Sequence, residues 1–168
     1  MVVKDIKRIF QKKRLLPGRE QSFKIPLIDN DLLRLRKVFS FMKIKLSSIF
    51  VDDQDKALKF YTEVLGFIKK SDIPAEGARW LTVVSPDGPD DIELLLESIG
   101  FPAAGTYQKA LFEAGIPLTA FAVENIQKEY KRMVKLGVVF SVEPTQSGPA
   151  TVAVFEDTCG NLIQLYQG

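Results

Sequence analysis

Ser48–Phe67, SIFVDDQDKALKFYTEVLGF, changes its periodicity part-way along. Its first residues close KIKLSSIFVDD (43–53), whose β-branched and apolar content predicts a strand. Beyond Asp55 the apolar residues Ala57, Leu58, Tyr61, Val64 and Leu65 recur at helical spacing. Asp53 or Asp55 can cap the start of that helix, and Gly66 supplies its stop. One strand therefore feeds one short amphipathic helix.

The pattern then repeats. GFIKKSD (66–72), ARWLTVVS (78–85) and IELLLE (92–97) read as three strands, with SPDGPDD (85–91) as the turn between the last two. GFPAAGTYQKALFEAG (100–115) predicts a short linking helix that Thr106 caps and Gly115 ends. PLTAFAVEN (117–125) is a strand of the same shape as LSSIFVDD. IQKEYKRMVKLG (126–137) is a helix ending on glycine as the first one does. VVFSVEP (138–144), ATVAVFE (150–156) and NLIQLYQ (161–167) complete three more strands. IELL at 92–95 returns as IQLY at 163–166, an offset of 71, and Phe50-Val51 returns as Ala122-Val123, an offset of 72. Even spacing of this kind is the mark of an internal duplication. Each copy reads βαβββ, so the expected class is α+β: two small sheets, each with a helix on one face. Side by side, the sheets are expected to curl around a shared cavity walled by their unpaired concave faces.

These motifs, with FYTEVLGF (60–67) and the closing VFEDTCGNLIQLYQ (154–167) foremost, resemble the vicinal oxygen chelate superfamily. That group includes glyoxalase I, bleomycin-resistance proteins, fosfomycin-resistance enzymes and extradiol dioxygenases. The resemblance covers about residues 42–168: module one 42–99, the linker helix 100–115 and module two 116–168. It implies a divalent metal held by four side chains from the first and last strands of the two modules. Carried onto this chain, those positions are Leu46, Glu93, Leu118 and Gln164. Two leucines cannot ligate, and an amide is a weak donor, whereas a divalent ion wants several charged oxygen or nitrogen ligands. Metal-dependent chemistry is therefore not expected, and no cofactor is predicted.

An emptied site suits a small organic ligand. Glu93 can orient it by accepting hydrogen bonds or pairing with a cation, can act as a metal-free base, or can be a buried Glu tied to backbone or to Gln164. Leu46 and Leu118 make the floor apolar. Trp80 and Phe121 are the aromatic candidates for contact, with core packing the alternative for each, as for Phe50 and Phe155. Alternation sends Arg79 and Trp80 to opposite faces. Tyr107 and Phe112 on the linker helix can close a pocket or a dimer contact.

Composition sets outer limits. The chain has 168 residues and no histidine, which removes imidazole-based catalysis and imidazole metal sites. Cys159 is the single cysteine, so there is no disulfide framework, and its Asp-rich turn predicts an inert thiol. No apolar run is long enough to span a bilayer, and no secretory signal is read at the N-terminus; a reducing cytoplasm is the expected location. Residues 1–41 carry 11 Lys and Arg against 4 Asp and Glu, residues 42–168 12 against 17. A basic N-terminal extension, possessing one candidate short helix over DNDLLRLRKVF (29–39), thus precedes an acidic body suited to a cationic ligand. The leading expectation is a metal-free small-molecule-binding protein of the bleomycin-resistance type, a homodimer. A glyoxalase-like lyase or isomerase and a partner-binding scaffold are the alternatives.

Overall fold

The computed structural model describes residues 42–75, 78–89 and 91–168, with the backbone alone at Ala78. The expectations for residues 1–41 lie outside the described residues.

Module one runs β1 (Leu46–Val51), α1 (Gln54–Lys59), β2 (Ile68–Ala75), β3 (Ala78–Val84) and β4 (Glu93–Ser98). After α2 (Pro102–Glu113), module two repeats the order with β5 (Thr119–Ala122), α3 (Ile126–Lys135), β6 (Phe140–Ser147), β7 (Ala150–Glu156) and β8 (Leu162–Gln167). The sheets have matching topologies, β1-β4-β3-β2 and β5-β8-β7-β6, in which the first and last strands of each module pair in parallel and the rest are antiparallel. The repeat read from the 71-residue offset is thus a repeat of topology.

Local chemistry accounts for the element ends. The Asp53 carboxylate accepts from the Asp55 and Lys56 amides and caps α1. The helix then widens into a π-turn over Phe60–Val64, where the Leu65 amide reaches back five residues to the Phe60 carbonyl at 3.2 Å. The wider turn lets consecutive side chains, Phe60 and Tyr61, both bury. Gly66 ends the segment with φ +78°. Helix α2 departs from expectation. Pro102 begins it and Phe101 precedes it without a side-chain cap. Thr106 lies inside the helix, and its hydroxyl donates to the Pro102 carbonyl at 3.2 Å instead of capping.

Alternation along the strands decides which faces meet. Ile49, Val51, Leu81, Val83 and Leu96 of sheet one and Ala153, Phe155, Ile163 and Leu165 of sheet two belong to one buried cluster. Phe60, Tyr61, Ile126 and Met133 from the helical segments complete it. Both sheets turn a face toward this common core, so the opposite face of each sheet lies outside it. Joining the inward faces of both modules in one cluster removes their apolar surface from water.

Candidate functional site

The outward face of sheet one carries Leu46, Glu93 and Trp80. Leu46 and Glu93 are register partners on β1 and β4, so these two positions are adjacent, as the resemblance requires. Leu46 is 39% exposed. The Glu93 carboxylate accepts a 2.5 Å hydrogen bond from the hydroxyl of Thr82, a fully buried residue on β3. Glu93 is therefore tied to a hydroxyl of its own sheet, and Gln164 is not its partner. On sheet two, Gln164 is paired in register with Ala120 of β5 and Val154 of β7, on the outward face with Tyr166. Leu118 sits just before β5, its amide donating to the Leu162 carbonyl, and packs against the core cluster. Leu46 and Glu93 meet on sheet one, and Gln164 lies on sheet two.

Trp80 and Phe121 part company. Trp80 is 42% exposed and helps wall a recess of about 380 Å³ on the outer face of sheet one. Arg79 borders the recess, but its guanidinium is turned to the helix side, 2.8 Å from Asp55 and 3.4 Å from Asp72. Phe121 is no pocket residue. Its ring stands edge-on to Phe67 at 5.2 Å between centroids and packs against the core, because alternation gives the outward positions of β5 to Ala120 and Ala122. Phe155 is likewise core, whereas Phe50 lines the recess.

Three residues of the closing turn build a second polar feature that reading the sequence passed over. Asp157 is fully buried and accepts four hydrogen bonds: from the amides of Cys159 and Asn161, from the Asn161 side-chain amide at 2.7 Å and from the Tyr61 hydroxyl at 3.0 Å. Asn161 Nδ2 also donates to the Phe50 carbonyl at 2.8 Å. Gln108 of α2 closes the set. Its Nε2 faces the carbonyls of Phe50 and Cys159 and the side-chain oxygen of Asn161, at 2.8, 3.0 and 2.9 Å. Gly160, at φ +89°, lets the turn approach so closely that a Cβ there would stand 3.3 Å from the Gln108 amide. Burial pushes the Asp157 carboxyl above its ordinary range, and its donors pull it partly back. Burial, then the neighbouring Asp157 charge, pushes the Tyr61 hydroxyl well above its ordinary range. The Cys159 thiol, fully enclosed, is pushed from 9.0 to about 12, by burial first and by Asp157 second. This cluster joins the two modules to the linker helix. Its polar side chains direct their hydrogen bonds to one another and to the backbone, which makes it a structural tie.

Among the described residues no three or more Asp, Glu, Cys or His side chains come together as a metal cage. The donor set at the positions the resemblance implies is one carboxylate, already hydrogen-bonded, beside an aliphatic side chain, and that is a poor fit to a divalent ion. Among the described residues, too, no helix is long and apolar enough to cross a membrane.

The model of the Glyoxalase/Bleomycin resistance protein/Dioxygenase superfamily matches residues 43–165. The chain belongs to that superfamily. It is 60% identical over 126 residues to the "Uncharacterized protein YurT" of Bacillus subtilis (strain 168), a match covering 75% of this chain and 99% of that one. The crystal structure of UcmS2 superposes with a TM-score of 0.66 at 33% identity, covering 76% of this chain and 98% of the other. TnmS3, an antibiotic binding protein from Streptomyces sp. CB03234, superposes with a TM-score of 0.62 at 28% identity, covering 77% and 98%.

Proposed function

We propose that the protein binds a small organic molecule on the outward face of its sheets, without a metal ion. The observation that carries this reading is Glu93 held by Thr82 beside Leu46, and it is supported by Leu46, Glu93, Leu118 and Gln164 standing at the positions that the resemblance assigns to metal donors. An apolar floor and one carboxylate recognise a guest by shape, hydrogen bonding and charge, not by coordination. The antibiotic-binding activity of TnmS3, a protein of the same fold at 28% identity, supports a binding role. Glu93 in this reading accepts hydrogen bonds from the ligand.

The same reading gives a reason for two chains. Each outward face leaves apolar side chains in water, among them Leu46, Ile73 and Trp80 on sheet one and Val142 and Tyr166 on sheet two. A second copy laying sheet two over sheet one would bring Gln164 from the partner toward Leu46 and Glu93. The homodimer encloses two such composite pockets, and covering the exposed apolar side chains supplies its driving force.

Two measurements test this. Elemental analysis of the purified protein is expected to show no stoichiometric nickel, zinc, iron or manganese. A tightly held ion at Glu93, lost on Glu93→Gln, overturns the metal-free reading. Thermal-shift screening against antibiotics and metabolites is expected to return ligands that raise the midpoint by several degrees through preferential binding to the folded state. A screen without any such ligand, on a protein that sedimentation shows to be monomeric, overturns the binding reading itself.

A further inference from the structure

We propose that the recess beside Trp80 selects a planar aromatic cation, and that Glu97 is the residue that selects it; this rests on the binding function just argued. The recess opens on the outer face of sheet one, with Phe50, Trp80, Leu95, Glu97 and Phe101 around it. Its volume of about 380 Å³ lies within the range of small-molecule pockets, which begins at roughly 300 Å³. The walls are unusually aromatic for a solvent-facing recess. Trp80 is 42% and Phe101 69% exposed, so each offers ring surface that a flat guest can cover.

Charge narrows the class further. Glu97 shares its face with Glu93 and Leu95, because residues two apart on β4 point the same way. It lies about 13 Å along the strand from Glu93, so the two carboxylates serve different parts of the surface. Glu93 is held by Thr82, but the Glu97 carboxylate makes no hydrogen bond or ion pair among the described residues. It is half-buried, between aromatic walls that reduce its hydration. Among the described residues that line the recess the other charged one is Arg79, whose guanidinium is turned onto Asp55 and Asp72. A carboxylate so placed favours a cation and disfavours an anion. The ring faces beside it favour the same guest, since a cation over Trp or Phe is attracted by the ring quadrupole. A flat ligand bearing an amidine, amine or iminium nitrogen satisfies both features at once.

Trp80 is the chain's single tryptophan, so its emission reports directly on the recess. The full chain is titrated with proflavine, a planar tricyclic cation, and with anthracene-2-carboxylate, a planar tricyclic anion. The expected result is saturable quenching by proflavine, with at least a tenfold weaker response to the anion. Glu97→Gln should weaken proflavine about tenfold and abolish the preference between the two probes. Glu124→Gln makes the same change in net charge at an exposed site and should leave proflavine binding within twofold. Trp80→Leu, read by thermal shift in place of emission, should lose the proflavine effect. Equal affinity for the two probes, or Glu97→Gln behaving as Glu124→Gln does, overturns the assignment while ligands from the wider screen still uphold the binding function. Absence of both quenching and thermal shift with proflavine at millimolar concentration also overturns it. The binding function falls only if the wider screen is empty as well.

Discussion

Replacing Gln108 by Glu exchanges one –NH2 for one oxygen at nearly constant volume, so packing is unchanged and polarity alone is tested. In the native protein Nε2 serves three acceptors, the carbonyls of Phe50 and Cys159 and the side-chain oxygen of Asn161, in a site where Gln108 is only 8% exposed. A carboxylate there would oppose three oxygens, so the new side chain must fold as the neutral acid. Holding a Glu protonated at pH 7 against an ordinary value of about 4.3 costs about 3.7 kcal/mol, at about 1.36 kcal/mol per pH unit. The acid has one O–H for three acceptors. Phe50 keeps its bond from Asn161 Nδ2, which leaves one acceptor unpaired at a further cost of about 1–3 kcal/mol. The expected loss at pH 7 is therefore about 5–7 kcal/mol, comparable to the whole stability of an ordinary domain. The sign of the pH effect follows. A folded-state pKa raised above the unfolded one makes stability fall as pH rises, so acidification rescues the variant. Between pH 7 and pH 5 urea titrations should recover about 2.7 kcal/mol relative to wild type. A loss below about 1.5 kcal/mol at pH 7, or the same loss at both pH values, would refute the assignment of Nε2 as a buried three-way donor.

Gly160→Ala should cost about 1–3 kcal/mol by urea titration, since φ +89° suits glycine and the new Cβ meets the Gln108 amide at 3.3 Å. Cys159 should resist a thiol-specific reagent in the native protein at pH 8 and react fully in denaturant, because its folded value lies near 12. The stability contributed by that shift is present below pH 9.0 and is lost as pH rises toward about 12, so Cys159→Ser should show a shallower alkaline decline. Leu81→Ala, at a fully buried core position, should cost about 2–5 kcal/mol, whereas Leu46→Ala, 39% exposed on the outward face, should cost under about 1 kcal/mol in the isolated chain. A reversal of that order would put the two faces of sheet one the wrong way round.

The order of elements was legible because two periodicities alternate cleanly, a helical stripe at Ala57, Leu58 and Tyr61 and two-residue alternation at Leu81 and Val83. The 71-residue offset then doubled the pattern without needing any long-range contact. What alternation does not encode is which faces meet. It separates Leu94 and Leu96 from Glu93, Leu95 and Glu97, yet it is silent on whether two inward faces share one core or two. That choice rests on total apolar area across both modules, a tertiary quantity. The same limit explains Phe121, whose aromatic character fits a pocket or a core equally well until Phe67 is placed beside it. Gln108 was invisible for another reason. A glutamine in a helix ordinarily faces water, and its burial here comes from a turn some fifty residues later. Gly160 was the available signal, since a glycine beside Asp157 and Asn161 marks a backbone that something approaches closely. Glu97 was within reach of the alternation argument, because it repeats the face of Glu93 two residues on.

The polar cluster and the outward recess are mechanically connected, and this bears on how a ligand would be felt. Phe50 contributes its carbonyl to Gln108 and Asn161 on one side and its ring to the recess wall on the other. The position of that ring is therefore set by hydrogen bonds that begin in module two and in the linker helix. A variant that loosens the cluster without touching the recess should thus weaken ligand binding as well as stability. Gln108→Ala is the discriminating case, because its side chain reaches the Phe50 carbonyl and is not among the residues that line the recess. Were proflavine affinity unchanged in Gln108→Ala under conditions where the protein stays folded, the ring of Phe50 would be held by its own strand alone. The cluster would then be a clamp between modules with no part in shaping the site.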